Sequence, residues 1–395
     1  MKFINAILAV MLAGVSSVSA QELATVREFL TDYEVTQQIN LDSPPDFGFA
    51  GEFYFGTYTK GSENPVYRHY DRSGQLLWSS ESLDYLPEKP ALSKSGNRVM
   101  LLRETHKDVD YRYLVTEVYD ENGNHLFTGP SDLVFRSSPN GSYFYSLWGA
   151  SHDDQAALTV LGAEGAPLPV EQRFYRDASP LNDSLLVCGG RTKVTVLNVF
   201  TGQAIRSAPI QAERSFNIDC SPKEDRILLK NVFEVCLLDN SLDPLGCIQR
   251  RSANERRSIA LAKVLPGTDV IGFKEFRYGQ GVFATIIRLG GEPIADVKIE
   301  LPSSDKMHGE AGLSGLSDEA LSFESGLLIY RFFSYKPPRS GNYEGRSLVI
   351  RLGPDYQIAI SHAVLESRLY PMGERHFLEI GNRQIRTWSL KEGDR

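Results

Sequence analysis

Ser138-Pro139-Asn140-Gly141 stands between two runs of strand-forming residues, and the same turn chemistry returns along most of the chain. Ser93-Lys94-Ser95-Gly96, Ser179-Pro180-Leu181-Asn182 and Ser221-Pro222-Lys223-Glu224 are close copies. Leu265-Pro266-Gly267-Thr268, Leu316-Ser317-Asp318-Glu319 and Pro371-Met372-Gly373-Glu374 are looser ones, and Ser43-Pro44-Pro45-Asp46 reads as the earliest. The copies are spaced by roughly 40 to 55 residues, which is the signature of a repeat architecture.

A second turn type alternates with the first. Its copies are Asp71-Arg72-Ser73-Gly74, Asp120-Glu121-Asn122-Gly123, Gly162-Ala163-Glu164-Gly165 and Val199-Phe200-Thr201-Gly202, continued by Asp239 to Asp243, Gly290-Gly291 and Gly353-Pro354-Asp355. Gly and Asn tolerate positive φ and Pro presets φ, so these residues suit tight hairpins. Between the turns lie short runs rich in aromatic and β-branched residues, such as Tyr113 to Tyr119, Lys193 to Val199 and Ser347 to Leu352. A helical stripe is visible only at Glu22 to Tyr33. Each repeat therefore reads as four antiparallel strands, A to D, and four strands per roughly 45 residues is the radial pattern of an all-β propeller.

Eight A–B turns against seven C–D turns give a count of eight blades. The last repeat stops after its C strand, Gln384 to Leu390. A strand within Ala24 to Leu41 supplies the missing D strand and closes the ring, which removes exposed sheet edges. A seven-bladed ring stays open if residues 21 to 50 form a tail or a cap.

Two motifs carry a resemblance. Ser138-Pro139-Asn140-Gly141 resembles the turn of bacterial WD40-like propeller repeats, and Asp71-Arg72-Ser73-Gly74-Gln75-Leu76-Leu77-Trp78 resembles the outer strand of PQQ-like repeats. The resemblance implies architecture alone, because these families include both enzymes and scaffolds.

The first twenty residues read as a signal peptide. Lys2 supplies the positive end, Ile4 to Val15 the apolar stretch, and Val18-Ser19-Ala20 the small residues before a cut after Ala20. No Cys lies at the new N-terminus to take a lipid anchor. No later apolar run reaches the roughly 18 residues that a membrane-spanning helix needs. The expectation is a soluble monomer in a periplasm or outside the cell, with residues 21–395 forming one propeller domain.

Lys and Arg number 42 against 50 Asp and Glu, a formal charge of −8. That balance argues against nucleic-acid binding, which needs excess positive charge to displace phosphate counterions. An oxidising compartment permits disulfides among the four cysteines. Cys236 and Cys247 flank Asn240-Ser241-Leu242-Asp243 symmetrically and face each other in a hairpin centred there. Cys188 and Cys220 are then left to pair between neighbouring repeats. No His or second Cys stands at zinc-ligand spacing, so no metal is assigned.

In an A-B-C-D blade the A–B and C–D turns lie on one face of the disc, and the B–C loops and D–A connectors on the other. The first set is short and stereotyped, the second long and varied, and binding residues favour variable loops on a rigid scaffold. The loop-rich face carries His106, His152, Asp153 and Asp154, which suit a cation or acid–base work or stand as solvated loops. It carries Arg250, Arg251, Arg256 and Arg257 beside Arg277. These read as a positive patch for a carboxylate-rich or phosphorylated partner, or as a basic loop paired with nearby acids. Tyr335 and Tyr343 bracket a long, partly apolar loop suited to protein contact.

No catalytic signature of the nucleophile-elbow, zinc-protease, P-loop or dinucleotide type is present. Asp120 to Asn124 lacks the downstream Glu of a calcium loop, and no cofactor is assigned. The leading reading is an exported, non-catalytic propeller that binds another protein through its loop-rich face. The alternative is a hydrolase or lyase with its site at the channel mouth, whose carboxylates would carry no signature in one sequence.

Overall fold

The computed structural model describes residues 26–391 apart from 43–44, 46, 61–64, 81–90, 108–111, 149–155, 172–173, 191, 211–215, 222–225, 251–256, 266–267, 292, 300–319, 325, 336–342, 354–360, 374 and 382. These residues form eight four-stranded antiparallel sheets that succeed one another along the chain. Blade 1 runs from strand Phe47–Ala50 to Leu76–Ser80, blade 2 from Ala91–Leu92 to His125–Thr128, and blade 3 from Arg136–Ser137 to Phe174–Tyr175. Blade 4 runs from Asp177–Pro180 to Ala204–Pro209, blade 5 from Asn217–Cys220 to Pro244–Gln249, blade 6 from Arg257–Val264 to Pro293–Lys298, and blade 7 from Ala320–Glu324 to Ser361–Leu365. Blade 8 takes its A, B and C strands from the C-terminus (Arg368–Pro371, His376–Ile380 and Gln384–Leu390) and its D strand, Tyr33–Asn40, from the N-terminus. The pairing runs from Tyr33↔Leu390 to Asn40↔Gln384 with a bulge between Val35 and Gln37. The fold is thus an eight-bladed β-propeller closed by its N-terminal strand, and the seven-bladed alternative is excluded.

The core is distributed in the same way. Each sheet buries apolar side chains on both faces, and each gap between consecutive blades holds its own cluster. Leu228 and Val235 of blade 5 pack with Ile271 and Phe273 of blade 6. Phe55 and Tyr70 of blade 1 pack with Met372, Leu378 and Ile380 of blade 8, which closes the circle. Between blades 7 and 8, Val26, Phe29 and Leu30 add a helical turn's apolar side to Ile329, Phe377 and Trp388. The stripe read at Glu22 to Tyr33 is therefore one helical turn, residues 26–29, followed by the closing strand. The A strands of neighbouring blades approach one another, while D strands such as Ala204–Pro209 are mostly exposed, so A lines the channel and D the rim.

The stereotyped turns have a local cause. Ser138 Oγ accepts the backbone N–H of Ser142 at 2.9 Å, and Ser93 Oγ accepts that of Arg98 at 3.1 Å, so the serine closes the turn that its own backbone starts. Gly141 follows at φ 72°. The turns also hold each other across blades: Asp183 of blade 4 accepts from Ser138 Oγ at 2.9 Å and from the Asn140 N–H at 2.8 Å. Two expected A–B turns are displaced. In blade 1 the connection is Gly51-Glu52-Phe53 rather than Ser43 to Asp46, which precedes strand A. In blade 7 it is residues 325–326, and Leu316 to Glu319 lies outside the described residues.

Cys236 and Cys247 are bonded, as direct partners across the C–D ladder of blade 5. Cys188 and Cys220 are free and buried, which corrects the expected bridge between them. Cys188 points into the cluster between blades 3 and 4, and Cys220 into the one between blades 4 and 5, so the blade 4 sheet stands between the two sulfurs.

One buried histidine makes the fold sensitive to acid. His69, in strand C of blade 1, is fully buried, accepts or donates to the Tyr67 hydroxyl through Nδ1 at 3.0 Å, and lies between Tyr54 and Trp78. Burial lowers its pKa to about 4 from 6.5. The unfolded chain takes up this proton first, so the contribution is whole above pH 6.5 and is lost as pH falls from there towards 4. The loss is roughly 3 kcal/mol. We expect urea midpoints to drop across that window, and His69→Phe to flatten the drop. An equal slope in the variant would assign it to other groups, of which half-buried His376, also lowered to about 4, is the first to test.

Candidate functional site

The loop-rich face is where the ends of strands B and D meet the starts of C and A. At blades 5 and 6 it carries a charge cluster built around one carboxylate. Glu275, in strand B of blade 6, is completely buried. Arg250, just past strand D of blade 5, forks onto it with Nε to Oε1 at 3.0 Å and Nη2 to Oε2 at 2.9 Å. Arg277, two residues along the same strand face, donates Nε to Oε2 at 2.8 Å. Arg257 Nη1 stands 3.8 Å away. Arg277 also clamps Asp296 of strand D, with Nη1 to Oδ2 at 2.6 Å, and Asp296 accepts the Thr285 hydroxyl at 2.8 Å. Phe273 and Phe283 lie under the guanidinium groups of Arg250 and Arg277.

Burial works against the charge on Asp296, but bonds from Arg277 and Thr285 outweigh it and hold the carboxyl below its ordinary range. The same balance holds Arg277 above its ordinary value. Three of the five arginines read as a surface patch are therefore paired with acids, because blade packing brings Glu275 and Asp296 to them. Arg251 and Arg256 lie outside the described residues, as do His152, Asp153 and Asp154. His106, Tyr335 and Tyr343 sit in described strands that lead to or from the B–C loops of blades 2 and 7, and their side chains lie outside the described set. Among the described residues, the only group with metal-ligand proximity is Glu234 with Cys236 and Cys247, and the disulfide occupies both sulfurs.

Among the described residues three aromatic or apolar side chains stand out on this face, one of them Val134, 49% exposed in the D–A connector between blades 2 and 3. Tyr278, in the B–C turn of blade 6, is 69% exposed, and Val232, in that of blade 5, is 50% exposed.

Sequence reading missed a second set of cations, on the inner strands. Arg226, Val270 and Leu327 each pair with the last residue of strand C in blades 5, 6 and 7. Four residues further on, strand B carries Lys230, Lys274 and Arg331, one cation at the same position in three successive blades. Each reaches towards the next blade. Lys230 Nζ donates to the Ala260 carbonyl. The Lys274 ammonium lies 5.3 Å over the Tyr330 ring. Arg331 stacks 4.6 Å over Tyr370 and donates to Ser322 Oγ at 2.9 Å and to the Leu369 carbonyl at 3.3 Å. Arg368, the first residue of strand A in blade 8, is buried and donates to the Pro45 carbonyl at 3.0 Å. Burial, with Arg368 nearby, pulls the Arg331 pKa below its ordinary value, and burial does the same to Lys230. Among the residues whose side chains are described, Asp177, bonded to the Ile218 N–H, and Asp219, bridged to Lys263 at 2.7 Å, stand on the A strands of blades 4 and 5 and offset part of the burial of Lys230.

No protein-family model matches the sequence, and no curated protein matches it. The chain is similar to the C-terminal WD40 domain of Sif2, with a TM-score of 0.56 and 10% identity over 91% of this chain and 98% of that one. It is also similar to a eukaryotic initiation factor, with a TM-score of 0.51 and 10% identity over 86% and 82% of the two chains. With eight four-stranded blades in one ring, these likenesses show a WD40-like β-propeller fold.

Proposed function

We propose that the protein is an exported, non-catalytic propeller that docks a partner protein on its loop-rich face. The observation that carries this is the exposure of Tyr278, Val232 and Val134 on that face, where strand D of blade 6 ends and strand A of blade 7 begins across the longest connection, residues 299–319. On the opposite face most turns are short and some are bonded to one another, as Asp183 is to Ser138 and Asn140, while the C–D connections of blades 3 and 7 run longer, over residues 163–173 and 352–360. A rigid ring bearing variable loops offers a broad surface without catalytic machinery. The fold's likeness to WD40 domains agrees with an interaction role. The Cys236–Cys247 disulfide and the N-terminal segment of residues 1–20 support export.

The test is co-purification of crosslinked partners from the protein's own envelope or secreted fraction, with Val232→Asp and Tyr278→Asp against Phe200→Asp. Phe200 is 45% exposed in a C–D turn of the opposite face. The proposal expects a specific partner that is lost with the first two substitutions and kept with the third. Loss with Phe200→Asp alone would move the working surface to the turn face, and no specific partner for the folded chain would remove the reading.

A further inference from the structure

Cys236 and Cys247 stand eleven residues apart, which is no metal-ligand spacing along a chain. Strand pairing changes that. In blade 5, Glu234 lies opposite Gln249 and Cys236 opposite Cys247. Side chains two residues apart on a strand share a face, so these four form one square on the side of the sheet turned towards blade 4. One oxygen of Glu234 and the two sulfurs all lie within 4.8 Å of one another. Gln249 Nε2 donates to Glu234 Oε1 at 2.9 Å and holds the carboxylate in place, as the outer partners of metal ligands do.

The C–D ladder keeps the two strands in register on both sides of the bond, from Glu234↔Gln249 to Leu238↔Pro244. Val235 and Ile248 anchor the opposite face of the hairpin between blades 5 and 6. Cys247 is exposed, so a reductant and an ion can both reach sulfur. Cys188 and Cys220 are buried, and burial raises both thiols, so they do not compete. Two thiolates with one carboxylate make a soft donor set, which suits zinc or cadmium rather than calcium or magnesium.

We propose that Cys236, Cys247 and Glu234 form a site for zinc or another thiophilic divalent ion, which the disulfide closes and reduction opens. A dithiol gives two electrons and two protons to the disulfide and closes to a disulfide of its own. The two thiols lose their protons to solvent as the ion enters, and the sulfurs bind as thiolates beside Glu234. Three protein ligands leave one position of a tetrahedral ion to water. The site lies on the outer strands of blade 5 and does not rest on the docking of a partner at the loop-rich face.

The probe is cadmium chloride, titrated into the full chain after reduction with a phosphine and removal of the reductant under nitrogen. Binding is read from the sulfur-to-metal charge-transfer absorption, and free thiols from a colorimetric reagent. The reduced chain is expected to bind one ion, to lose the reactivity of Cys236 and Cys247 as it does so, and to melt at a higher temperature with the ion than without it. The oxidised chain is expected to be silent. Glu234→Gln is expected to weaken binding by about tenfold or more, and Cys247→Ser to remove the absorption. Because Cys247→Ser can alter the hairpin, the decisive comparison is between the reduced and oxidised forms of the unaltered chain. A reduced chain without a sharp melt, a folded reduced chain that takes up no ion, or equal uptake by the oxidised chain would overturn the proposal. Uptake unchanged by Glu234→Gln would overturn the three-ligand assignment.

Discussion

Deleting residues 21–40 is expected to abolish the cooperative folded state. The segment contributes the D strand of blade 8, and without it Gln384–Leu390 becomes an open edge with unpaired N–H and C=O groups. The deletion also takes Val26, Phe29, Leu30 and Tyr33 out of the cluster shared by blades 7 and 8. Each such side chain is worth about 1.5–3 kcal/mol when buried, and a domain's whole stability is about 5–15 kcal/mol. Circular dichroism melting of the deleted chain should show a broad, early transition or none. A synthetic peptide of residues 21–41 should restore the sharp transition, at a temperature that rises with peptide concentration. A deleted chain that melts within a few degrees of the full one would mean that the ring closes without this strand.

Glu275→Gln is expected to cost about 3–5 kcal/mol, since it leaves Arg250 and Arg277 in a buried site with their shared counter-charge gone. The contrast is Asp269→Asn. Asp269 and Arg288 are about half exposed and 3.6 Å apart, so that exposed pair is worth about 1 kcal/mol at most. Urea unfolding of both variants compares the two directly. A loss at Glu275 no larger than that at Asp269 would show that the arginines find water or other partners, and that the cluster does not hold blades 5 and 6 together. This pairing also bears on any charge-reversal test of the arginines. Changing Arg250 to Glu would set a second carboxylate against Glu275, and lost binding would then report misfolding.

The blade count and the closing strand were readable because hairpin chemistry is local. Ser138 Oγ binds the N–H of Ser142, four residues away, so the motif contains its own explanation. The first A–B turn was not readable for the opposite reason. Glu52 and Phe53 donate their N–H groups to the carbonyls of Lys94 and Ser95 in the next blade, and nothing within Gly51-Glu52-Phe53 announces that support. The Cys236–Cys247 bond follows from hairpin symmetry, whereas Cys188 and Cys220 were joined by elimination, which ignores the sheet face each side chain takes. For the arginines, sequence left open a free patch or a loop paired with acids, and the pairing holds at Arg250, Arg257 and Arg277, while Arg251 and Arg256 lie outside the described residues. The neutralising carboxylate is 25 residues beyond Arg250 in sequence and reaches it only through blade packing. The inner cations leave a trace in sequence, a single basic residue inside the apolar runs Leu228-Leu229-Lys230, Phe273-Lys274 and Tyr330-Arg331-Phe332. Their common register appears only once the strands are paired.

The most direct test of the proposed docking face is hydrogen–deuterium exchange of the purified protein with and without the partner that co-purification is expected to yield. The account predicts slowed exchange at the loop-rich face, in residues 231–233, 250–258 and 277–281, with the turns at 72–75, 121–124 and 199–203 unchanged. Protection confined to those turns, with the loop-rich segments exchanging as before, would contradict it.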